Sequence, residues 1–203
     1  DNGDGCAFAL RRTTAARMQS TADVIDGLSM VGKGYVSLAE LSLNRTGQRG
    51  ITAEAADRLK NHDYWGLRWN DGDMATEAWY PQGITGNEDA NESGGGRQLI
   101  GSWYDHEPDA IVKGARISFI DLEDPEDIRY RHILLVVPTG ASTTPKFYPV
   151  LAETGAPLHA GGIVWIGNLL YVADTTQGFR VFDLSKIIEV TDTDDTDRIG
   201  VRD

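Results

Sequence analysis

From residue 64 onward the chain runs in short apolar stretches separated by polar turns. Nine of these stretches predict strands, over 64–69, 77–84, 98–104, 115–122, 130–137, 162–166, 169–173, 179–184 and 187–190. The breaks between them are clusters of Gly, Asp, Asn and Pro, such as NDGD at 70–73, GNEDANESGGG at 86–96 and EDPED at 123–127. The first third has a different pattern. Over 13–30, Ala16, Met18, Ala22, Ile25 and Leu28 recur at helix-like intervals behind Thr13 or Thr14, and Gly32 and Gly34 close the segment. Residues 35–43 alternate well enough for a strand, but a helical turn fits them too. Thr52 predicts the cap of a short helix, TAEAADRLK, with Glu54 favourably placed in its first turn. The organisation expected is a partly helical N-terminal extension over 1–63 and an all-β region over 64–203.

A weak internal repeat narrows the architecture. The segments PQGITG, RQLIGSWYD and GARISFIDL within 81–122 correspond to HAGGIVWIG, NLLYVADTTQ and GFRVFDL within 159–184. Gly83 aligns with Gly162, Leu99 with Leu169, Arg116 with Arg180, and Asp121-Leu122 with Asp183-Leu184. Each copy reads as two strands, the second ending in Asp, followed by a Gly-x-Arg strand that ends in Asp-Leu. The strands at 130–137 and 187–190 then supply a fourth strand to each copy, and four antiparallel strands per repeat make the blade of a β-propeller.

The second copy, GGIVWIGNLLYVADTTQGFRVFDLSKI, resembles the blades of exported bacterial β-propellers with LVIVD-like or YVTN-like repeats. The resemblance rests on Asp174 followed by Gly178-Phe179-Arg180-Val181-Phe182-Asp183-Leu184. It implies four-stranded blades, seven when the ring is complete, with Val181 and Phe182 packed between blades. Gly178 would open the third strand, and Asp183 would tie the turn after it. At roughly 40–45 residues per blade, residues 77–203 supply two blades, so the ring stays open within this chain. The acidic chain is also similar to an autolysis-inducing propeller of that group, which implies two partners, a secreted neutral metalloprotease and a secreted transglutaminase. A transglutaminase needs a glutamine on backbone that it can draw into its cleft. Gln48, in RTGQRG between two glycines and with no apolar residue from Asn44 to Gly50, fits best, and Gln177 comes second. Gln82 and Gln98 fall in predicted strands and are expected to react poorly.

Composition supports this picture more than it sharpens it. Of 203 residues, 40% are hydrophobic and 25% charged, as in an ordinary globular protein. Asp and Glu outnumber Lys and Arg by 31 to 19, a net charge of −12 that argues against nucleic-acid binding and against a basic membrane-surface module. No apolar run approaches the ~18–20 residues of a membrane span. Scarce lysine, abundant Thr, Asp and Gly, and an opening Asp1-Asn2-Gly3-Asp4-Gly5 fit an exported, extracellular protein. In that setting the lone cysteine, Cys6, is a disulfide candidate whose partner lies outside the chain.

Candidate chemistry is sparse. The histidines at 62, 106, 132 and 159 follow no HxH or HExxH spacing, and there is no CxxC or G-x-S-x-G. His132 lies inside a predicted strand and should be packed. His159 precedes Gly161-Gly162 at the start of an inner strand, where it becomes a candidate for a site at a central channel. Ser102, Asp105 and His106 are too close in sequence to adopt triad geometry. The run TDTDDTD over 191–197 alternates like a Ca²⁺ loop but lacks its glycine and its distal glutamate, so a solvated loop and no cofactor are expected. The function expected is non-enzymatic protein binding. The alternative is a propeller hydrolase or lactonase with a channel metal held by carboxylates and His159.

Overall fold

The computed structural model describes residues 14–31, 34–60, 66–88, 96–106 and 112–189, and they are mostly β. In chain order the elements are α1 (Ala15–Val31), β1 (Tyr35–Val36), β2 (Arg45–Thr46), β3 (Gln48–Arg49), α2 (Ala53–Arg58), β4 (Leu67–Arg68) and α3 (Asp71–Ala75). There follow β5 (Trp79–Gly86), β6 (Gln98–Asp105), β7 (Ala115–Asp121), β8 (Arg129–Leu134), β9 (Val136–Ala141) and β10 (Thr144–Pro149). The last four are β11 (Ile163–Ile166), β12 (Leu169–Asp174), β13 (Gly178–Asp183) and β14 (Ile187–Ile188). Cys6 and the acidic run at 191–197 lie outside the described residues.

Two sheets carry the fold. The larger has the order β2-β8-β7-β6-β5, a four-stranded meander extended at its outer edge by β2. The smaller is the meander β11-β12-β13. Their facing sides bury the main core. Ile100, Ile117 and Phe119 come from the larger sheet, and Ile163, Trp165, Leu170 and Val172 from the smaller. On the opposite side of the larger sheet Ile120, Leu122, Ile128 and Tyr130 pack with Leu67 and Trp69. No sheet among the described residues closes on itself.

The repeat is structural. Arg116 lies opposite Trp103, and Arg180 lies opposite Val172. Two residues beyond each partner the middle strand ends in a buried aspartate, Asp105 or Asp174. Each closes its turn, Asp105 by accepting from the Lys113 N–H at 2.7 Å and Asp174 from the Thr176 N–H at 3.1 Å. At the other end the Asp-Leu pairs behave alike. Asp121 Oδ1 accepts from the Glu123 N–H, and Asp183 Oδ1 from the Ser185 N–H. The Leu122 and Leu184 N–H groups donate to the residue before each middle strand, Arg97 and Asn168. The register differs from the sequence alignment in three places. The ladders set Leu169 level with Ile100 instead of Leu99, and Asp183 level with Phe119 instead of Asp121, because β7 runs two residues further past its arginine. The third is the inner strand. Trp103 faces Pro81 and Val172 faces Ile163, while Gly83 sits in a bulge between Pro81 and Ile84, so Gly83 and Gly162 are not equivalent.

Several expected elements changed. The strand at 130–137 divides at Leu135, whose N–H donates to the Ala115 carbonyl while its own carbonyl accepts from the Val150 N–H. The chain then leaves the sheet as the β9–β10 hairpin, against which α1 packs. Three prolines, Pro138, Pro145 and Pro149, hid this hairpin in the sequence. The strand at 187–190 does not join β13; it pairs with β1. Of 35–43 only Tyr35–Val36 is extended, because Glu40 then accepts from both the N–H and the hydroxyl of Ser37 and closes a turn. The Thr52 cap forms as expected, its Oγ1 accepting from the Ala55 N–H. The segment read as an extension is tied into the fold through β1, β2 and α1.

The repeat yields a paired test at its turn glycines. Gly114 and Gly178 both stand two residues before the repeat arginine at positive φ, +79° and +87°. A Cβ at Gly178 meets open space, whereas one at Gly114 would lie 2.6 Å from the Val150 carbonyl oxygen. Gly178→Ala should therefore cost only the left-handed backbone term, about 1–2 kcal/mol. Gly114→Ala should cost that plus an overpacking term of about 1–3 kcal/mol. Urea unfolding of the two variants checks the difference, and equal losses would refute it.

Candidate functional site

The densest chemistry in the described residues gathers on the outer side of the larger sheet, around Asp73. The sequence NDGD folds there as α3. Asn70 caps it, its Oδ1 accepting from the Asp73 N–H at 2.8 Å. This holds the Asp73 side chain, 5% exposed, over β7 and β8. Its Oδ1 accepts from His132 Nε2 at 3.0 Å and Arg116 Nη2 at 3.4 Å. Its Oδ2 accepts from the Tyr130 hydroxyl at 2.5 Å and Arg45 Nη1 at 3.2 Å. The Tyr130 hydroxyl in turn accepts from the Asn70 N–H. One carboxylate thus receives donors from β2, β7 and β8.

The proton positions follow from donor counting. Trp103 Nε1 can only donate, and it donates to Ser118 Oγ at 2.7 Å. Ser118 then gives its own proton to His132 Nδ1, also at 2.7 Å. His132 is left with a proton on Nε2, which points at Asp73. Trp103, Ser118, His132 and Asp73 are all satisfied while His132 is neutral; of the cluster only the buried Arg116 Nε lacks a partner among the described residues. A second ring proton would collide with the Ser118 hydroxyl, which has no other acceptor along this chain.

The electrostatics agree. Burial first, and the Arg116 and Arg45 charges with it, pull the His132 pKa down to about 4 despite its bond to Asp73. Burial alone would raise the Asp73 carboxyl, but the hydrogen bonds from His132 and Tyr130 and the positive charges around it hold it well below the usual carboxylate range. Burial and the bond to Asp73 push the Tyr130 phenol above its ordinary value. Burial lowers Arg116 to about 10, so it stays charged at neutral pH. Its guanidinium is sandwiched between Trp79 and Trp103, 4.4 and 5.0 Å from the ring centroids.

A pocket of about 490 Å³ opens beside the cluster, lined by Arg45, Asp73, Thr76, Trp79 and Arg116 among others. Ser118, His132 and Asp73 line up like a hydrolytic triad, but Ser118 is 0% exposed, and the imidazole turns Nε2 to the acid instead of the hydroxyl. No substrate reaches that serine. The cluster acts as a clamp: it fixes β2 and α3 to the sheet through a fully bonded carboxylate.

The residues singled out by sequence lie elsewhere and apart. His159 is exposed and stacks on Tyr104 with ring centroids 4.4 Å apart, beside a second stack of His106 on Tyr80. Among the described residues no three His, Cys, Asp or Glu side chains converge as metal ligands. Ser102 is buried, donating to the Ala160 carbonyl, and is remote in role from Asp105 and His106. Gln48 is exposed but belongs to β3, in a two-residue ladder opposite Arg68. Gln177 sits in the β12–β13 turn with its amide donating to Glu153 at 2.6 Å. Gln82 is exposed within the β5 bulge, outside the ladder. His132 is packed, as its place in a strand suggested. Asp73 was missed because NDGD reads as a solvated turn; the Asn70 cap signal ahead of it was the available clue. Comparison with protein-family models, curated proteins and solved structures finds no match for this chain.

The clamp predicts an acid sensitivity. His132 titrates near 4 in the folded chain against 6.5 when free, so the unfolded state takes up its proton first as pH falls. Stability should be intact above pH 6.5 and decline by up to about 1.4 kcal/mol per pH unit down to about pH 4. Urea midpoints across that range measure the slope, and His132→Gln should flatten it. An unchanged slope would assign the effect to another group.

Proposed function

We propose that this chain is part of an exported β-propeller-type protein that works by binding other proteins and not by catalysis. The observation that carries the reading is the repeat, two stacked meanders in register at their Gly-x-Arg and Asp devices, each with an Asp-Leu turn of the same kind set two residues apart in the ladders. Four strands, β5 to β8, form the first unit in blade order. The second has three, with its outer edge at β13. Exposed apolar side chains support a binding role. Tyr80, Ile84, Tyr148 and Phe179 are among the large hydrophobics left at the surface, and protein-binding faces are built of such residues.

The partner proposed is a neutral metalloprotease. Binding a less compact form of that protease shifts its equilibrium toward cleavable states, because a ligand stabilises whichever state it prefers. Mixing the two should speed loss of the intact protease, followed on gels, with cleavage only by the protease itself. Continued cleavage after the protease is fully inhibited would show that this chain cuts peptide bonds and would overturn the reading.

The same reading makes the chain a glutamine donor for a secreted transglutaminase. Gln48 is favoured over Gln98: its side chain is exposed, and its short strand is held by two ladder pairs and the flanking Gly47 and Gly50 hydrogen bonds. Gln98, opposite Asp121 in the seven-pair β6–β7 ladder, cannot be drawn out without opening the sheet. Brief labelling with a fluorescent amine and peptide mapping should therefore find Gln48 modified before Gln98. The reverse order would mean that backbone opening does not control the reaction.

A further inference from the structure

We infer that the pocket beside α3 binds a singly charged carboxylate, held by the Arg116 guanidinium. The pocket measures about 490 Å³, within the ~300–1,000 Å³ span of small-molecule sites. Its lining brings together Arg116 of β7, Trp79 of β5, Arg45 of β2, and Gly72 and Asp73 of α3. The side chain that calls for a ligand there is Arg116.

Arg116 is 6% exposed, and a buried cation is tolerated only when its N–H groups are bonded. Arginine carries more N–H donors than any other side chain. Among the described residues Arg116 gives one hydrogen bond, from Nη2 to Asp73 Oδ1 at 3.4 Å. That bond is long, and its acceptor also serves His132 at 3.0 Å. The other oxygen, Oδ2, is taken by Tyr130 and Arg45. Asp73 therefore has nothing further to offer, and Arg116 Nε is buried with no partner. Trp79 and Trp103 cover the two faces of the guanidinium. They ease its charge from either side but accept no hydrogen bond in its plane.

A carboxylate matches what is left. Its two oxygens meet a planar guanidinium with parallel N–H···O bonds, a geometry that an ammonium cannot reproduce. The two indoles fix the plane of the fork before any ligand arrives, so little rotamer freedom is lost on binding. The Trp79 ring gives the body of an organic acid an apolar wall. Asp71 and Asp73 line the same pocket. Asp71 is exposed and so is screened by water, but the two acids together favour a monoanion over a dianion such as phosphate.

Benzoate is the probe, followed by the indole N–H resonance of Trp79 in the full chain. The expected result is a saturable shift, with benzamide, of the same shape but without the charge, binding at least about tenfold more weakly, as loss of a charge-assisted hydrogen bond implies. Equal binding of the two would mean that the ring and not the charge is recognised, and would overturn the proposal. Gly72→Leu fills the pocket from the α3 side. A Cβ there meets only Asn70 Oδ1, at 3.5 Å, an ordinary contact. This variant should keep the parent's urea midpoint and lose the benzoate shift; a shift that survives it would place the anion elsewhere and refute the site. Arg116→Lys keeps the charge without the fork and should also weaken benzoate at least about tenfold. Should that variant fail to fold, Gly72→Leu and the benzamide comparison still decide. A capped glutamate-containing tripeptide separates the two sources of a carboxylate. A shift with benzoate alone assigns a free organic acid, a shift with both assigns the acidic side chain of another protein as well, and a shift with neither removes the site. No readout involves a protease, so this inference and the proposed function fail separately.

Discussion

One buried carboxylate ties the beginning of the chain to the sheet. Asp73 accepts hydrogen bonds from His132, Arg116, Tyr130 and Arg45, four donors on three strands. A charge taken out of water is expensive unless all its lone pairs are used, and here they are. The cost of burying Arg116 is shared between Asp73 and the faces of two tryptophans. Removing any one partner would leave an unpaired group in a dry site, so the cluster holds together only as a whole. It also explains why α3, only five residues long, stays in place.

The rest of the architecture is repetition with one substitution. In the second repeat Arg180 pairs with the aspartate of its own unit, Asp174, at 2.9 Å. In the first, Arg116 turns away from Asp105 toward Asp73, and one oxygen of Asp105 is left without a protein partner. The same Gly-x-Arg device thus serves two purposes. Locally it braces a turn, and at the start of the array it recruits the segment that covers the first sheet.

Much of this was legible in the sequence. The strands at 98–104, 115–122, 169–173 and 179–184 are visible because both faces are apolar or the alternation is clean, and the turn signals beside them are strong. The Thr52 cap was readable for the same local reason. What failed was non-local. Nothing near Ile187 says that its partner is Val36, nor that Arg45 adds to a strand 85 residues away at Tyr130. The Asp73 clamp was hidden for a related reason: each member reads as an ordinary polar residue, and only the fold brings residues 45, 73, 116, 130 and 132 together. Gln48 illustrates the converse. Its glycine-flanked surroundings look free, but the Gly47 N–H donates to the Ile128 carbonyl and the Gly50 N–H to that of Gly66, so long-range partners hold the loop.

The bulge in β5 bears on how the two sheets meet. Pro81 has no N–H to offer, and Gln82 and Gly83 step out of the ladder. No further strand can be laddered evenly along that edge, which removes the usual route by which an open sheet grows sideways. The sheets meet at β5 and β11 through side-chain packing and single hydrogen bonds, Ser102 to the Ala160 carbonyl and the Trp165 N–H to Thr85, instead. Such a seam carries little of the directional stiffness of a ladder. The angle between the units is set by the bulk of the side chains between them, and it can be retuned by changing those residues without disturbing either sheet.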